Sequence, residues 1–400
     1  MKFDFRKIFV SISVLFLSFM VGFYGSRLLY YYKTENKKDT KDYTLIEYLT
    51  TGENLIKNNL MEDDNKYYFY KNTKNNYIYY SGLMYRIIYM DKDTLYVITD
   101  ECITNLKYGE TGTYNNSEVK KWLEEVYLNN LDKTYLKDNE VKLLDRETFA
   151  KIGEKESFVV GKDFWVLDNN EALVITEDGM LTKTSNYKDF LGIKPIIKLK
   201  GSTKYIKGDG TVNNPYVIDN KTINTTNDLY VGNYIKYKNI DLRVIEKNDN
   251  GIKVVTIKPL EKKYIFSNIS NLYKTNYKKD IGYYLNNEYI KLLDKNDLVN
   301  TKWYIGNYEL EYKETLNKSI NSYVGLLKIG DYFLTDKTNS YLLTKDINNT
   351  NNIYTINEKN ALYIQSINEE LNIYPSFTLK NNLNIISGNG IKSNPYIIGD

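Results

Sequence analysis

The sequence predicts an α+β protein in which an N-terminal transmembrane helix is followed by two tandem, divergent α+β modules. Three observations carry that prediction. Residues 8–26 (IFVSISVLFLSFMVGFYGS) hold no charged side chain, about the length that crosses a bilayer as a helix. Residues 191–218 align with 371–398 without a gap, at a constant offset of 180. Ahead of each aligned stretch, strand-like alternation gives way to a helical period and then returns. The resulting boundaries are 1–32 for a cytoplasmic head and anchor, 33–64 for a helical juxtamembrane stalk, 65–219 for the first module, 220–229 for a linker and 230–400 for the second module.

The anchor is preceded by Lys2, Arg6 and Lys7 and followed by Arg27 and Tyr30, Tyr31 and Tyr32, aromatic rings of the kind that settle at a membrane interface. A cleaved export signal would need a small-x-small site, and Gly22 to Ser26 is the nearest approach to one. Basic residues on both sides leave orientation open by charge count. A short basic head directly before an apolar run is the layout of an export signal, which places the bulk of the chain outside a single-pass cell membrane.

TLIEYLTTGENLIKNNL reads as helix and forms the end of the stalk. The modules then match from the front: NYIYYSGLMYRII (76–88) against NYIKYKNIDLRVI (233–245), sharing Arg86 with Arg243 at an offset of 157. Each front reads as two strands, the first module turning at 91–93 and the second at 248–251. A helix over 117–129 follows, with Val119, Trp122, Leu123, Val126 and Tyr127 on one face. Asp280 stands at the N-cap of its counterpart. VKLL (141–144) pairs weakly with VGLL (324–327), and short strands are expected at 164–167, 172–176 and 194–200.

Each module closes on the same phrase. GDGTVNNPY carries Gly208, Gly210, Asn214, Pro215 and Tyr216; GNGIKSNPY carries Gly388, Gly390, Asn394, Pro395 and Tyr396. Pro195 meets Pro375 upstream, so the repeat holds four of the five prolines. Asp209 becomes Asn389, so a cation site needing that charge is not shared. The phrase therefore reads as a closing turn in both copies and not as a ligand loop, with glycines supplying backbone freedom and proline fixing φ. The polar segment 219–228 reads as a linker.

Composition narrows function by exclusion. The chain has no histidine and one cysteine, Cys102, so Ser-His and Cys-His pairs, internal disulfides and His or multi-Cys zinc sites cannot be built within it. Carboxylate, Ser-Lys or tyrosine chemistry remains. A net charge of +3 with both signs interspersed gives no basic stripe for nucleic acid. No cofactor, metal or catalytic residue is assigned, and the chain is read as not an enzyme. Glu124 with Glu125, and Glu369 with Glu370, are adjacent in sequence and read as solvated surface.

The run YYFYKNTKNNYIYYSGLMYRII, a WL helix, a W-x-L strand, GIKPII and the closing Gly-Asp-Gly-Thr-x-x-Asn-Pro-Tyr together resemble a family of uncharacterised bacterial cell-surface domains. The likeness covers about 67–218, and more weakly 230–398. The order of W-x-L strand, Gly-containing hairpin and Gly-Ile-Lys-Pro strand is also similar to the C-type-lectin-like and formylglycine-generating-enzyme-like superfold. Neither activity transfers with the resemblance. Every proline follows Lys, Asn or Tyr, so the calcium-lectin Glu-Pro-Asn loop is missing, and Cys102 lacks the partner that the formylglycine branch needs. Trp122 and Trp165 read as core, and Cys102 as a buried thiol; Trp303, in NTKWYIGNYELEY, is the candidate exposed aromatic contact. What the resemblance implies is a noncatalytic binding or structural protein at the cell surface, with a protein or glycan partner. The alternative is an enzyme acting on envelope polymers by carboxylate chemistry.

Overall fold

The computed structural model describes residues 43–399, apart from 59, 185, 220, 309–311, 337 and 359–360. The expected membrane anchor lies outside the described residues, and no helix among them is long and apolar enough to cross a membrane. The protein is α+β, with strands outweighing helices.

Alternation of buried and half-exposed residues from Tyr77 onward builds a strand pair, Tyr77–Tyr80 and Leu83–Met90. By alternation alone these two read as one strand. Ser81 and Gly82 both take positive φ (48° and 82°) and fold the chain back on itself, so each front is three strands, the third being Thr94–Thr99. Ile196–Lys200 pairs antiparallel with this third strand, and Leu136–Lys142 pairs on its far side. The closing strand Tyr216–Val217 runs parallel to Tyr77–Tyr80.

The second half repeats the pattern. Tyr234–Tyr237, Ile240–Asn248 and Gly251–Thr256 form the front; Ser376–Lys380 pairs with the third strand, and Tyr396–Gly399 runs parallel to the first. The register coincides. Val141 faces Ile197 and Leu136 faces Leu199; at the corresponding places Val324 faces Phe377 and Leu298 faces Leu379. The VKLL and VGLL segments, a weak match by residues alone, thus hold the same position on the sheet. Among the described residues each half has one eight-stranded sheet. Around it the halves differ: the first adds a five-stranded sheet, and the second adds two- and three-stranded sheets.

The expected helix over 117–129 begins as α at Glu118–Trp122, widens to a π turn at Leu123–Tyr127 and ends as a 3-10 turn at Leu128–Asn130. In an α-helix, side chains five apart point about 140° away from each other. The π turn brings such positions closer to one face, and Trp122 and Tyr127 both end fully buried, with ring centroids 6.4 Å apart.

The stalk and linker differ from expectation. Leu45–Thr50 is a helix with a Thr44/Glu47 capping box, but Leu45 and Leu49 are fully buried and Leu45 N donates to Thr203 O at 2.8 Å. Leu60–Asp63 joins the first sheet as an edge strand. The described part of the stalk is therefore docked, because its leucines gain roughly 1.5–3 kcal/mol each by leaving water. The linker is docked as well: Thr226 is fully buried, its amide donates to Leu383 O at 2.9 Å, and Leu229 is fully buried.

From Thr44 onward the chain forms one unit with one apolar core running through both halves. Trp122 Nε1 donates to Gly330 O at 2.8 Å, Thr104 Oγ1 to Asp331 O at 2.8 Å, and Phe333 N to Ile103 O at 2.8 Å. Buried Glu118 accepts from the Tyr308 hydroxyl and, at 2.6 Å, from Tyr312 N. Backbones meet at Gly82 and Gly232. A Cβ on Gly82 would lie 2.4 Å from Val231 O, and one on Gly232 would lie 2.6 Å from Gly82 O.

Candidate binding cleft between the two closing turns

The two closing turns are superposable in their hydrogen bonds. In the first, Asp209 N and Gly210 N donate to Asn214 O (3.0 and 3.1 Å), and Asn214 N donates to Thr211 O at 3.1 Å. In the second, Asn389 N and Gly390 N donate to Asn394 O (3.0 and 3.1 Å), and Asn394 N donates to Ile391 O at 3.0 Å. Glycine is required at the entry. Gly208 and Gly388 sit at φ 101° and 104°, and a Cβ on either would lie 2.0 or 2.1 Å from the oxygen of Pro215 or Pro395. Asp209 spends its carboxylate on Thr211, accepting from its amide at 3.0 Å and its hydroxyl at 2.7 Å. The turn reading stands on these bonds, and Pro195 and Pro375 lie just ahead of the fourth strand in each sheet, their oxygens accepting from Thr99 N and Thr256 N.

What the sequence did not indicate is that both turns reach the same cleft. A cavity of about 510 Å³ is lined by Asn213, Asn214 and Pro215 of the first turn and by Gly388, Asn389, Ile391 and Tyr396 of the second. Tyr79, Tyr230 and Asn233 complete its wall. Asn233 Nδ2 donates to Tyr79 OH (2.6 Å), and Tyr79 OH donates to Gly390 O at 2.9 Å, tying the wall across the two halves. Tyr230 OH donates to Asp132 Oδ2 at 2.6 Å, and Lys221 Nζ lies 4.7 Å over the Tyr230 ring. Burial pushes the phenol of Tyr396 up to about 12 and that of Tyr79 well above its ordinary value. These hydroxyls stay neutral donors and acceptors at physiological pH. The only signal in the sequence was the doubled Asn-Pro-Tyr, which gives no hint that 180 residues of chain bring the copies together.

A second groove of about 320 Å³ holds Trp303, Lys253, Lys328 and Asp331, with Glu125 and Glu246 at its rim. Trp303 is not the exposed contact that was expected. It is 2% exposed, because the alternation of Thr301–Tyr304 turns it inward and Gly325 leaves room for the indole: a Cβ there would lie 2.4 Å from the ring. Its Nε1 donates to Ser322 O at 2.9 Å, and Lys253 Nζ sits 4.8 Å over the ring. Asp331 binds Lys253 (3.1 Å) and Lys328 (3.2 Å). Burial would raise the carboxyl, yet the two ammonium groups outweigh it and hold Asp331 below the usual range. Glu125 is likewise lowered, first by its hydrogen bond to Lys313 at 2.6 Å. Glu246 stands 4.0 Å from Lys253.

The remaining candidates resolve as surface or core. Glu124, Glu369 and Glu370 are exposed. The Ser-x-x-Lys start at 117 is a helix cap: Ser117 Oγ accepts from Lys120 N at 3.0 Å, while Lys120 Nζ turns outward to Glu124 at 2.7 Å. Trp122, Trp165 and Cys102 are buried as read. No family model matches the chain, and no curated protein or solved structure matches it.

Proposed function

We propose that this is a noncatalytic binding protein of the bacterial cell surface, anchored by the single span at 8–26, with the bulk of the chain extracytoplasmic. We read its two halves as tandem, divergent modules of one ancestral domain, of C-type-lectin-like kind, whose shared cleft receives a ligand. The observation that carries this reading is the cleft itself: the same turn, built twice, contributes both times to the lining of one concave site with aromatic and amide side chains. Concave sites with a few converging polar groups are where ligands bind. Gly82 and Gly232 bring the backbones close enough to fix the width between the walls.

Two measurements test it. Protease treatment of intact cells is expected to remove the chain beyond residue 43, and protection of that region would overturn the orientation. The full chain is expected to sediment with purified envelope polymer or a cell-surface protein, and replacement of Tyr230 and Tyr396 by alanine to abolish this; unchanged sedimentation would overturn the cleft as the site.

The alternative, an enzyme acting on envelope polymers, rests on Glu125, Glu246 and Asp331 sharing the second groove. Its weakness is that Glu125 and Asp331 are lowered, whereas a general acid requires a raised carboxyl. Release of reducing ends from envelope glycan, lost in Glu246→Gln, would favour it.

A further inference from the structure

Tyr216 and Tyr396 occupy the same place in the two closing turns, each ring against its glycine, Gly210 or Gly390. Their surroundings differ. Tyr216 is 1% exposed, enclosed edge-on by Tyr48 and Tyr205 (both 6.2 Å), which stack on each other at 4.0 Å. Tyr48 comes from the docked helix Leu45–Thr50. Over Tyr396 lies the 510 Å³ cleft instead, and the ring is half-buried. Its hydroxyl makes no hydrogen bond among the described residues. Nor does the side chain of exposed Asn213, while Asn389 uses only Oδ1, accepting from Ile391 N at 3.3 Å.

The cleft thus offers, in one lining, a half-buried aromatic ring and two neutral amides with unused donors. That set matches one kind of ligand. A pyranose ring has an apolar C–H face that rests on an aromatic platform, and an edge of hydroxyls that amides read by donating and accepting at once. Its charges are mixed, Lys207 and Lys221 against Asp219, so neither a polyanion nor a polycation is favoured. Addition of a peptide strand needs an open sheet edge, and the strand carrying Tyr396 is already paired on both sides, with Tyr234–Tyr237 and Asn384–Ser387. The volume suits a short saccharide, within the roughly 300–1,000 Å³ of small-ligand sites.

We propose that the cleft between the two closing turns is a neutral-oligosaccharide site, with Tyr396 as the platform beneath one sugar ring and the amides of Asn213 and Asn389 as readers of its hydroxyls. This rests on the reading of the cleft as the ligand site. The test is a ligand-observed NMR titration of the purified full chain, free of glycosidic detergent, with chitotetraose, cellotetraose and maltotetraose, and with tetragalacturonate as the charged comparison.

At least one neutral tetrasaccharide is expected to bind, at least about tenfold more tightly than tetragalacturonate. Tyr396→Ala is expected to weaken it at least about tenfold, Asn213→Ala about three- to tenfold, and Tyr396→Phe less than about threefold because the ring remains. Ile56→Ser, at an 82% exposed position away from the cleft lining, is expected to change nothing. Asn213 is exposed and its side chain makes no hydrogen bond among the described residues, so its variant keeps the test valid even where Tyr396→Ala does not fold. Binding that is indifferent to both Asn213→Ala and Tyr396→Ala, or to Asn213→Ala alone where Tyr396→Ala does not fold, overturns the assignment. If no neutral tetrasaccharide binds while the full chain still captures an envelope component through Tyr230 and Tyr396, this inference falls and the binding-protein reading stands. If nothing binds at the cleft, both fall.

Discussion

Arg86 and Arg243 stand at corresponding places in the two sheets, each with its guanidinium carbon 3.9 Å from the ring centre of the tyrosine on the neighbouring strand, Tyr77 or Tyr234. Beyond that stacking they part. Arg86 is satisfied within its own half: Nε donates to Asn76 Oδ1 at 2.5 Å, Nη2 to Thr73 O, and Nη1 to Tyr77 OH (3.0 Å) and Asp100 (3.5 Å). Arg243 reaches across instead, both terminal nitrogens 3.2 Å from Glu101 Oε1, and its buried Nε has no hydrogen-bond partner among the described residues. Two differences explain this. Asn233, the counterpart of Asn76, is turned away, accepting from Tyr230 N and donating to Tyr79. The places of Asp100 and Glu101 are taken in the second sheet by Ile257 and Lys258, so that sheet has no acid of its own there. One acidic dipeptide therefore pairs with both arginines, Asp100 with Arg86 and Glu101 with Arg243, while Asp336 of the second half lines the same pocket as Arg243.

The largest test of this contrast is Arg86→Met. It strands two buried acceptors, Asn76 Oδ1 and Thr73 O, and two part-buried ones, Tyr77 OH and Asp100, and is expected to cost about 3–5 kcal/mol in urea denaturation. A smaller loss than for Arg243→Met would break the comparison. Next in size is the contrast between the two helix caps, Ser117 and Asp280. Asp280 is 2% exposed; Oδ1 accepts from Gly282 N (2.8 Å) and Lys274 N (3.2 Å), and the neighbouring Ser267 hydroxyl also favours the charged form, though less than burial opposes it. Burial pushes this carboxyl up to about 6.

Below the unfolded value near 3.9 the carboxyl is protonated in both states and costs nothing. Between about pH 4 and 6 the folded state keeps a proton that the unfolded state has released, so stability falls as pH rises, by up to roughly 3 kcal/mol. Asp280→Asn keeps the cap acceptor and is expected to gain that stability at pH 7 and nothing at pH 3.5. Equal gains at both pH values would show that the carboxyl is not titrating. Ser117→Ala should lose about 1 kcal/mol at either pH.

Arg243→Met is expected to cost about 2 kcal/mol, less than Arg86→Met, because Glu101 is partly exposed and rehydrates when its partner leaves. Smallest is Glu101→Gln, at about 1 kcal/mol. Combined with Arg243→Met it should add little further, and full additivity in a double-mutant cycle would mean that the two residues do not interact.

Local chemistry was legible in the sequence and long-range partnership was not. The closing turns were readable because glycine and proline act through their own backbone, and the repeated register could be traced from Pro195 and Pro375. Trp122 and Trp165 announced their burial by periodicity. The turn at Ser81 and Gly82 was hidden because alternation continues straight through it. Trp303 misled because its inward placement depends on Gly325, a residue outside its own run. The Glu101–Arg243 contact and the meeting of the two closing turns leave no trace in sequence pattern, since neither changes the local period of apolar residues.

In each half the closing strand lies parallel to the first strand, so the sheet is latched by the last part of that half to be made. Such long-range parallel pairing forms slowly. During synthesis the closing strand at Tyr216 is made before residues 243 and 330 exist. Until they emerge, Trp122 has no carbonyl for its indole N–H and Glu101 no cation. Until then the first half carries a bare docking face, and the interval before the second half arrives is when a chaperone or a wrong neighbour would find it.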